Sequence, residues 1–216
     1  MKVIYQLLIL TVLIAVKPLP VRSQCTVRKD EQGIKVMSCE VKDSRLKSIK
    51  TVFELDADLF QLVSVLRDVS TYSSWQYRMI NTKKIQEGDS SIMYYGEISA
   101  PWPVSNRDLI VRLEFDYNRE QKTLVVNATG YPTNLPIVEH IIRVPEFKAK
   151  WIVSEISDHR LHVEYQLAVD IGGAIPVWIM NMAQAEGPFE TFSNLRVHIQ
   201  SEKYKRSKLN NATNQD

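Results

Sequence analysis

Apolar and polar positions alternate along most of this chain, and the pattern changes once, near its end. In 108–117, Leu109, Val111, Leu113, Phe115 and Tyr117 oppose Arg112, Glu114 and Asp116. In 161–169, Leu161, Val163, Tyr165, Leu167 and Val169 oppose His162, Glu164 and Gln166. A period of two with one apolar and one wet face predicts curved antiparallel strands covered on one side. Runs at 79–86, 91–98, 123–129 and 148–156 predict four more strands, joined by turn-like segments at Glu87-Gly88-Asp89 and 118–121. Upstream, 25–29 and 34–39 flank Asp30-Glu31-Gln32-Gly33 and predict a hairpin, with a third strand at 47–55. A helix capped by Asp56 follows, with Leu59, Phe60, Val63 and Leu66 on its buried face, and leads into a Tyr72-Ser73-Ser74-Trp75 turn.

After Gly172-Gly173 the period becomes helical. Trp178, Met182, Ala185, Phe189, Phe192 and Ile199 form one apolar stripe over about 25 residues. Asn181, Gln184, Glu186, Glu190 and Asn194 lie opposite. Pro176 suits the first turn, and Pro188 is expected to bend or locally break the helix. Such a stripe fits a core helix and the wall of an apolar cavity equally well. The order of three strands, a short helix pair, six strands and one long helix predicts an α+β helix-grip fold, a curved antiparallel sheet wrapped around a long C-terminal helix.

Several motifs resemble those of START domains, the lipid-transfer branch of the Bet v 1-like superfamily. Pro101-Trp102-Pro103-Val104-Ser105-Asn106-Arg107-Asp108 is similar to the family's signature entering a central strand. Ile142-Arg143-Val144 followed by Trp151 resembles its VR…W hairpin. Gly172-Gly173-Ala174-Ile175-Pro176-Val177-Trp178 and Leu195-Arg196 resemble its final helix, and Tyr72–Trp75 resembles the turn after its first helix. The resemblance runs from about Gln24 to Gln200. It implies an elongated apolar cavity holding one lipid-like molecule, with no metal and no cofactor. Some members carry a charged pair inside the tunnel, and the apolar face of 108–117 offers none. The expected cavity wall is Val111, Leu113, Phe115, Trp151, Tyr165, Trp178, Met182 and Phe189.

A closed cavity needs a gate, and Gly130–Glu139 is the candidate. Pro132 and Pro136 keep it out of a central strand, while Tyr131, Leu135, Ile137 and Val138 are too apolar for a solvated loop. Gly172-Gly173 would be the hinge, and contact with a membrane would be transient.

Residues 1–23 have the pattern of a signal peptide: Lys2, an apolar run from Val3 to Val16, and Val21-Arg22-Ser23 before Gln24. An uncleaved N-terminal anchor is the alternative. Residues 24–203 then form one lipid-binding domain, expected to be a monomer, and 204–216 a polar tail within a solvated basic run starting at Lys203. Loss of Lys2, Lys17 and Arg22 takes the formal charge from +2 to −1, which gives no electrostatic case for nucleic acid. Export into an oxidising compartment, periplasmic or secreted, makes a disulfide between Cys25 and Cys39 the expectation. The two are directly opposed if the hairpin turn centres on Gln32, whereas a four-residue loop would offset them by one.

Catalytic motifs are weak. His159 and His162, three apart on a strand, face opposite sides and cannot chelate together; His140 and His198 read as surface residues. Ser44-Arg45-Leu46-Lys47 matches an acyl-serine pattern without its partners. A cyclase or hydrolase would need a polar group on the apolar face, for which Glu155 and Tyr165 are the candidates. Arg107 and Asp108 should point to opposite sides, Arg107 toward a carboxylate such as Glu97 and Asp108 toward backbone N–H groups, with a ligand head group as the alternative partner.

Overall fold

The computed structural model describes residues 25–40 and 47–205. The expected signal peptide and the end of the tail lie outside them. Ten strands and two α-helices occur in the order β1 (Cys25–Glu31), β2 (Ile34–Glu40), β3 (Lys47–Leu55), α1 (Leu59–Arg67), β4 (Met79–Glu87), β5 (Ser91–Ile98), β6 (Arg107–Asn118), β7 (Thr123–Gly130), β8 (Ile142–Arg143), β9 (Glu146–Ser157), β10 (Arg160–Asp170) and α2 (Val177–His198). A 3-10 turn, Val69–Ser74, follows α1 and completes the short helix pair. The strands form one sheet, β1-β2-β3-β10-β9-β7-β6-β5-β4, with β8 added in parallel to β6. The helix-grip architecture read from the sequence is the architecture observed.

The first hairpin departs from expectation in detail. Its turn has two residues, Gln32 and Gly33, both left-handed at φ 51° and 68°. A regular ladder from that turn would offset the cysteines by one. A bulge at Arg28 absorbs the extra residue, so Val27 pairs with Met37 and Cys25 with Cys39. The disulfide closes there, with Cα atoms 4.0 Å apart.

The cap of α1 is Asp58, not Asp56. Asp58 accepts from the Gln61 N–H at 2.8 Å, and the Gln61 side chain accepts from the Asp58 N–H at 3.1 Å. Starting at Leu59 turns the buried face to Leu62, Val65 and Leu66, and Phe60 is left exposed. Residues 203 and 204 also pack onto the fold, where a solvated tail was expected. Tyr204 is 2% exposed; its hydroxyl lies 2.9 Å from Asp68 Oδ2, 3.2 Å from Thr71 Oγ1 and 3.1 Å from His198 Nε2. Lys203 pairs with Asp68.

The inner face of the sheet is a set of rows fixed by strand register. The row Leu124, Val153, Val163, Phe53 and Ile34 is at most 3% exposed. Phe192, Leu195 and Ile199 of the helix end are equally buried over this half of the sheet, and the Phe192 ring stacks on Phe53 at 4.5 Å. Arg196 fastens this end by donating to the carbonyls of Gln32, Gly33 and Glu54. Pro188 does not break α2, which runs through it. It does remove one donor, so the Gln184 carbonyl lacks its usual partner four residues on.

Candidate functional site: an apolar cavity under the final helix

Two rows further along the same strands, side-chain volume falls. The row Leu113, Ala128, Ala149, Leu167 and Ile49 has directly paired alanines at its centre. Above it, α2 presents Ile179, Ala183 and Gly187 at steps of four. Small residues on both sides leave a cavity of about 620 Å³, lined mainly by apolar groups. It reaches from Leu66, Tyr72 and Trp75 at the inner end to Ser99–Val104 and Ile171–Ile175 at the other. Its exposed lining residues, Arg78, Asp170, Gly173 and Asn181, lie toward that second end and mark the opening.

Of the expected wall, Leu113, Trp151, Tyr165 and Met182 line this space. Val111 does not: it is fully buried in the solid core, paired with Tyr94 and Gly130. Phe115 lies outside it under the Arg67 guanidinium, 5.0 Å from the ring centre. Phe189 turns to the first hairpin, where the Lys29 ammonium sits 4.1 Å above its ring. Trp178, in the first turn of α2, is 57% exposed. The inward stripe of α2 is thus one position from the one built on its bulky residues, and Gln184 and, at the exposed opening, Asn181 also line the space. Trp75 and Tyr94 were missed; period-two alternation through Ile92, Tyr94 and Gly96 was the available signal for Tyr94.

The segment 130–139 also falls elsewhere. No residue of Tyr131–His140 lines the cavity. It is pinned by Arg143, whose guanidinium holds Asp108 bidentately at 2.7 and 2.9 Å. Arg143 also donates to the carbonyls of Pro132, Leu135 and Pro136 at 2.7, 3.2 and 3.1 Å. Asn134 reaches Met93 Sδ at 3.1 Å. Asp108, Met93 and Ile110 lie on the outer face of β5 and β6, so these contacts hold the segment over that face, with Tyr131, Ile137 and Val138 left exposed. The pair is almost dry, with side chains 7% and 1% exposed. The hydrogen bonds that Arg143 donates to Asp108 hold its pKa above the ordinary value.

Arg107 and Asp108 do point to opposite sides, but their partners differ from expectation. Arg107 faces the cavity side and donates to the carbonyls of Ser105, Ile171 at 3.5 Å and Gly172 at 3.2 Å. Burial lowers its pKa. Glu97 instead accepts from Asn106 Nδ2 at 2.9 Å, and Asn106 Oδ1 accepts from the Ala100 N–H at 3.1 Å, which shapes the 99–106 loop. Arg107 therefore clips together the two lips of the opening. Gly172 and Gly173 have φ of 64° and 71°, and a Cβ on either would meet Ile142 at 3.4 or 3.1 Å. Of the two catalytic candidates, Tyr165 lines the cavity and Glu155 does not.

A solved StAR-related lipid-transfer protein from Xanthomonas axonopodis superposes on this fold with a TM-score of 0.75 and 30% identity, over 82% of this chain and 99% of that one. The chain belongs to the START family. Human StAR-related lipid transfer protein 5 shares the START fold at a TM-score of 0.71 and 13% identity, over 82% of this chain and 86% of that one. An uncharacterized protein of Pseudomonas aeruginosa is 27% identical over 168 residues, 78% of this chain and 83% of its own length. Bovine phosphatidylcholine transfer protein is 25% identical over 165 residues, 73% of this START chain and 76% of its own length. No family model matches the sequence.

Proposed function

We propose that this START protein binds one lipid or similar hydrophobic molecule in the cavity and carries it between membranes without altering it. The observation that carries the reading is the cavity of about 620 Å³, within the usual range for enclosing a small ligand. The lipid-transfer relatives support it. The lining comes from one chain, so a monomer suffices. Native mass spectrometry of protein purified without detergent tests it: a co-purifying lipid mass, released intact on denaturation, is expected. Protein bare after incubation with mixed bilayer lipids would count against binding, and a chemically changed lipid would favour the enzyme alternative.

The exchange route we infer is the opening between Ser99–Val104 and the start of α2, hinged at Gly172-Gly173. Trp102, Val177 and Trp178 are 91%, 74% and 57% exposed on the two segments that flank it. Exposed aromatics at one mouth fit insertion among lipid head groups. Trp102→Ala with Trp178→Ala should slow transfer between vesicles while leaving lipid content per protein unchanged. Hydrogen exchange should show 99–104 and 172–180 gaining protection together on lipid loading, and 131–140 unaffected. Export to the periplasm or outside the cell is supported by the N-terminal pattern and the disulfide. Among the described residues no helix is long and apolar enough to cross a membrane.

A further inference from the structure

The inner end of the cavity is not uniformly apolar. Trp75 is 1% exposed and lines the cavity. Its indole Nε1–H is buried and no protein group accepts it. Thr51 lies directly opposite Tyr165 across the β3–β10 ladder, so the two side chains share the inner face. The Thr51 hydroxyl is also buried without a partner. Tyr94 and Tyr165 line the same space, and burial raises both phenols well above their ordinary pKa, so each is a neutral hydroxyl. Tyr72, beside them, is already committed: its hydroxyl donates to the Leu66 carbonyl. Ring contacts join Tyr72 to Trp75 at 5.3 Å and to Tyr94 at 4.9 Å; Tyr165 packs on Trp151 at 5.0 Å and is close enough to Tyr94 for the two phenols to interact electrostatically.

A buried donor left unpaired costs free energy that an apolar ligand cannot return. An indole N–H is donor only, so whatever satisfies it must be an acceptor. The lining cations are elsewhere: Arg78 is exposed at the opening, and Arg107 is occupied by three carbonyls. Among the described residues the lining holds no other cation to balance an anion. We propose that the inner end is a subsite for one neutral oxygen of the ligand, an ester, ketone or hydroxyl oxygen, bound by the Trp75 indole N–H with the Tyr94 and Tyr165 hydroxyls beside it. The ligand is then an oxygenated lipid that enters oxygen first, its other end at the Arg78 side. This rests on the lipid-binding reading and adds the orientation and the ligand class.

The test uses three probes with the same eighteen-carbon cis-9 chain: methyl oleate, cis-9-octadecene and sodium oleate. Each is titrated into full-length protein labelled with ¹⁵N and with ¹³C methyl groups. The methyls of Met182 and Ala149 report entry into the cavity, and the Trp75 indole cross-peak, assigned with Trp75→Phe, reports the subsite. The expected result is that methyl oleate moves both reporters, with the indole proton going downfield, and that octadecene moves the methyls alone. Trp75→Phe and Tyr165→Phe should each weaken methyl oleate relative to octadecene by about 3- to 10-fold, the usual worth of one hydrogen bond. Methyls that respond to methyl oleate beside an unmoved indole would overturn the subsite while leaving the cavity reading intact. An indole that responds to oleate alone would overturn the neutral-oxygen assignment. Methyls silent to all three probes would sink the binding reading itself, and the subsite with it.

Discussion

The two ends of this sheet use the same strands, the same helix and the same register, yet one is a solid core and the other is hollow. At the closed end Val153 and Val163 face each other under Leu195 and Ile199. Two rows away Ala128 and Ala149 face each other under Ala183 and Gly187. The hollow is therefore made by residue volume and not by a change of architecture. Close packing fails where both layers are small at once, and the sheet cannot collapse because its outer rows are held by their own ladders. The ends also differ in fastening. Arg196 ties the closed end to the β1–β2 turn and to the end of β3, while Arg107 clips the lips of the opening.

Breaking the closed end should cost most. Leu195→Ala, at a fully buried site, should destabilise by about 2–5 kcal/mol, measured by urea unfolding. Met182→Ala beside the cavity should cost under about 1 kcal/mol, since the removed atoms already border open space; equal costs would erase the contrast. Removing the Asp108 charge should rank beside the larger loss. Asp108→Asn leaves Arg143 buried and unpaired, which typically costs about 3–5 kcal/mol, and should release 131–140 to fast hydrogen exchange. Cys25→Ser with Cys39→Ser should cost about 3 kcal/mol for a loop of this size. Ala149→Phe sharpens the comparison from the other side. If the space is free, it should abolish lipid retention with stability kept within about 1 kcal/mol; a solid site would lose about 1–3 kcal/mol to overpacking.

The smallest effect is a pH dependence at the C-terminal latch. Burial lowers His198 below its ordinary value of 6.5, so the fold favours the neutral ring. Its contribution is complete above that value and is lost as pH falls through it. Burial alone would raise Asp68, but hydrogen bonds from Lys203, Ser70 and Tyr204 hold it below its ordinary 3.8. That contribution persists to lower pH and fails only below the ordinary carboxylate range. Protection factors at 199–205, corrected for the intrinsic exchange rate at each pH, should therefore fall between pH 7 and 5, and His198→Phe should flatten that step.

The sheet was legible because alternation and turn chemistry are local signals, and each strand of the core was found within two residues. The cavity wall was legible only in part. Period two identified Leu113 and Tyr165 but gave Val111 the same weight, since a buried side chain over a void and one over a neighbour have the same sequence signature. The helix was phased on its largest side chains, whereas a cavity is bounded by its smallest, Ala183 and Gly187. The 130–139 segment misled for another reason: its backbone is held on the outer face by Arg143, paired with Asp108 35 positions away, while Tyr131, Ile137 and Val138 stay exposed.

Pro188 stands where the two ends meet along α2, with Gly187 on the cavity and Phe189 on the first hairpin. Helical cooperativity is transmitted through backbone hydrogen bonds, and one of them is missing at that boundary. The helix is one rod in shape, and we expect its two halves to melt separately. Its first half, over a hollow and held by few contacts, can fray without drawing on the second, which is set in the core. A carrier built this way can admit and release cargo by spending part of one helix, while the free energy that keeps it folded stays in the other part. Pro188→Ala should couple the halves, slowing lipid exchange and raising protection at 179–187 together.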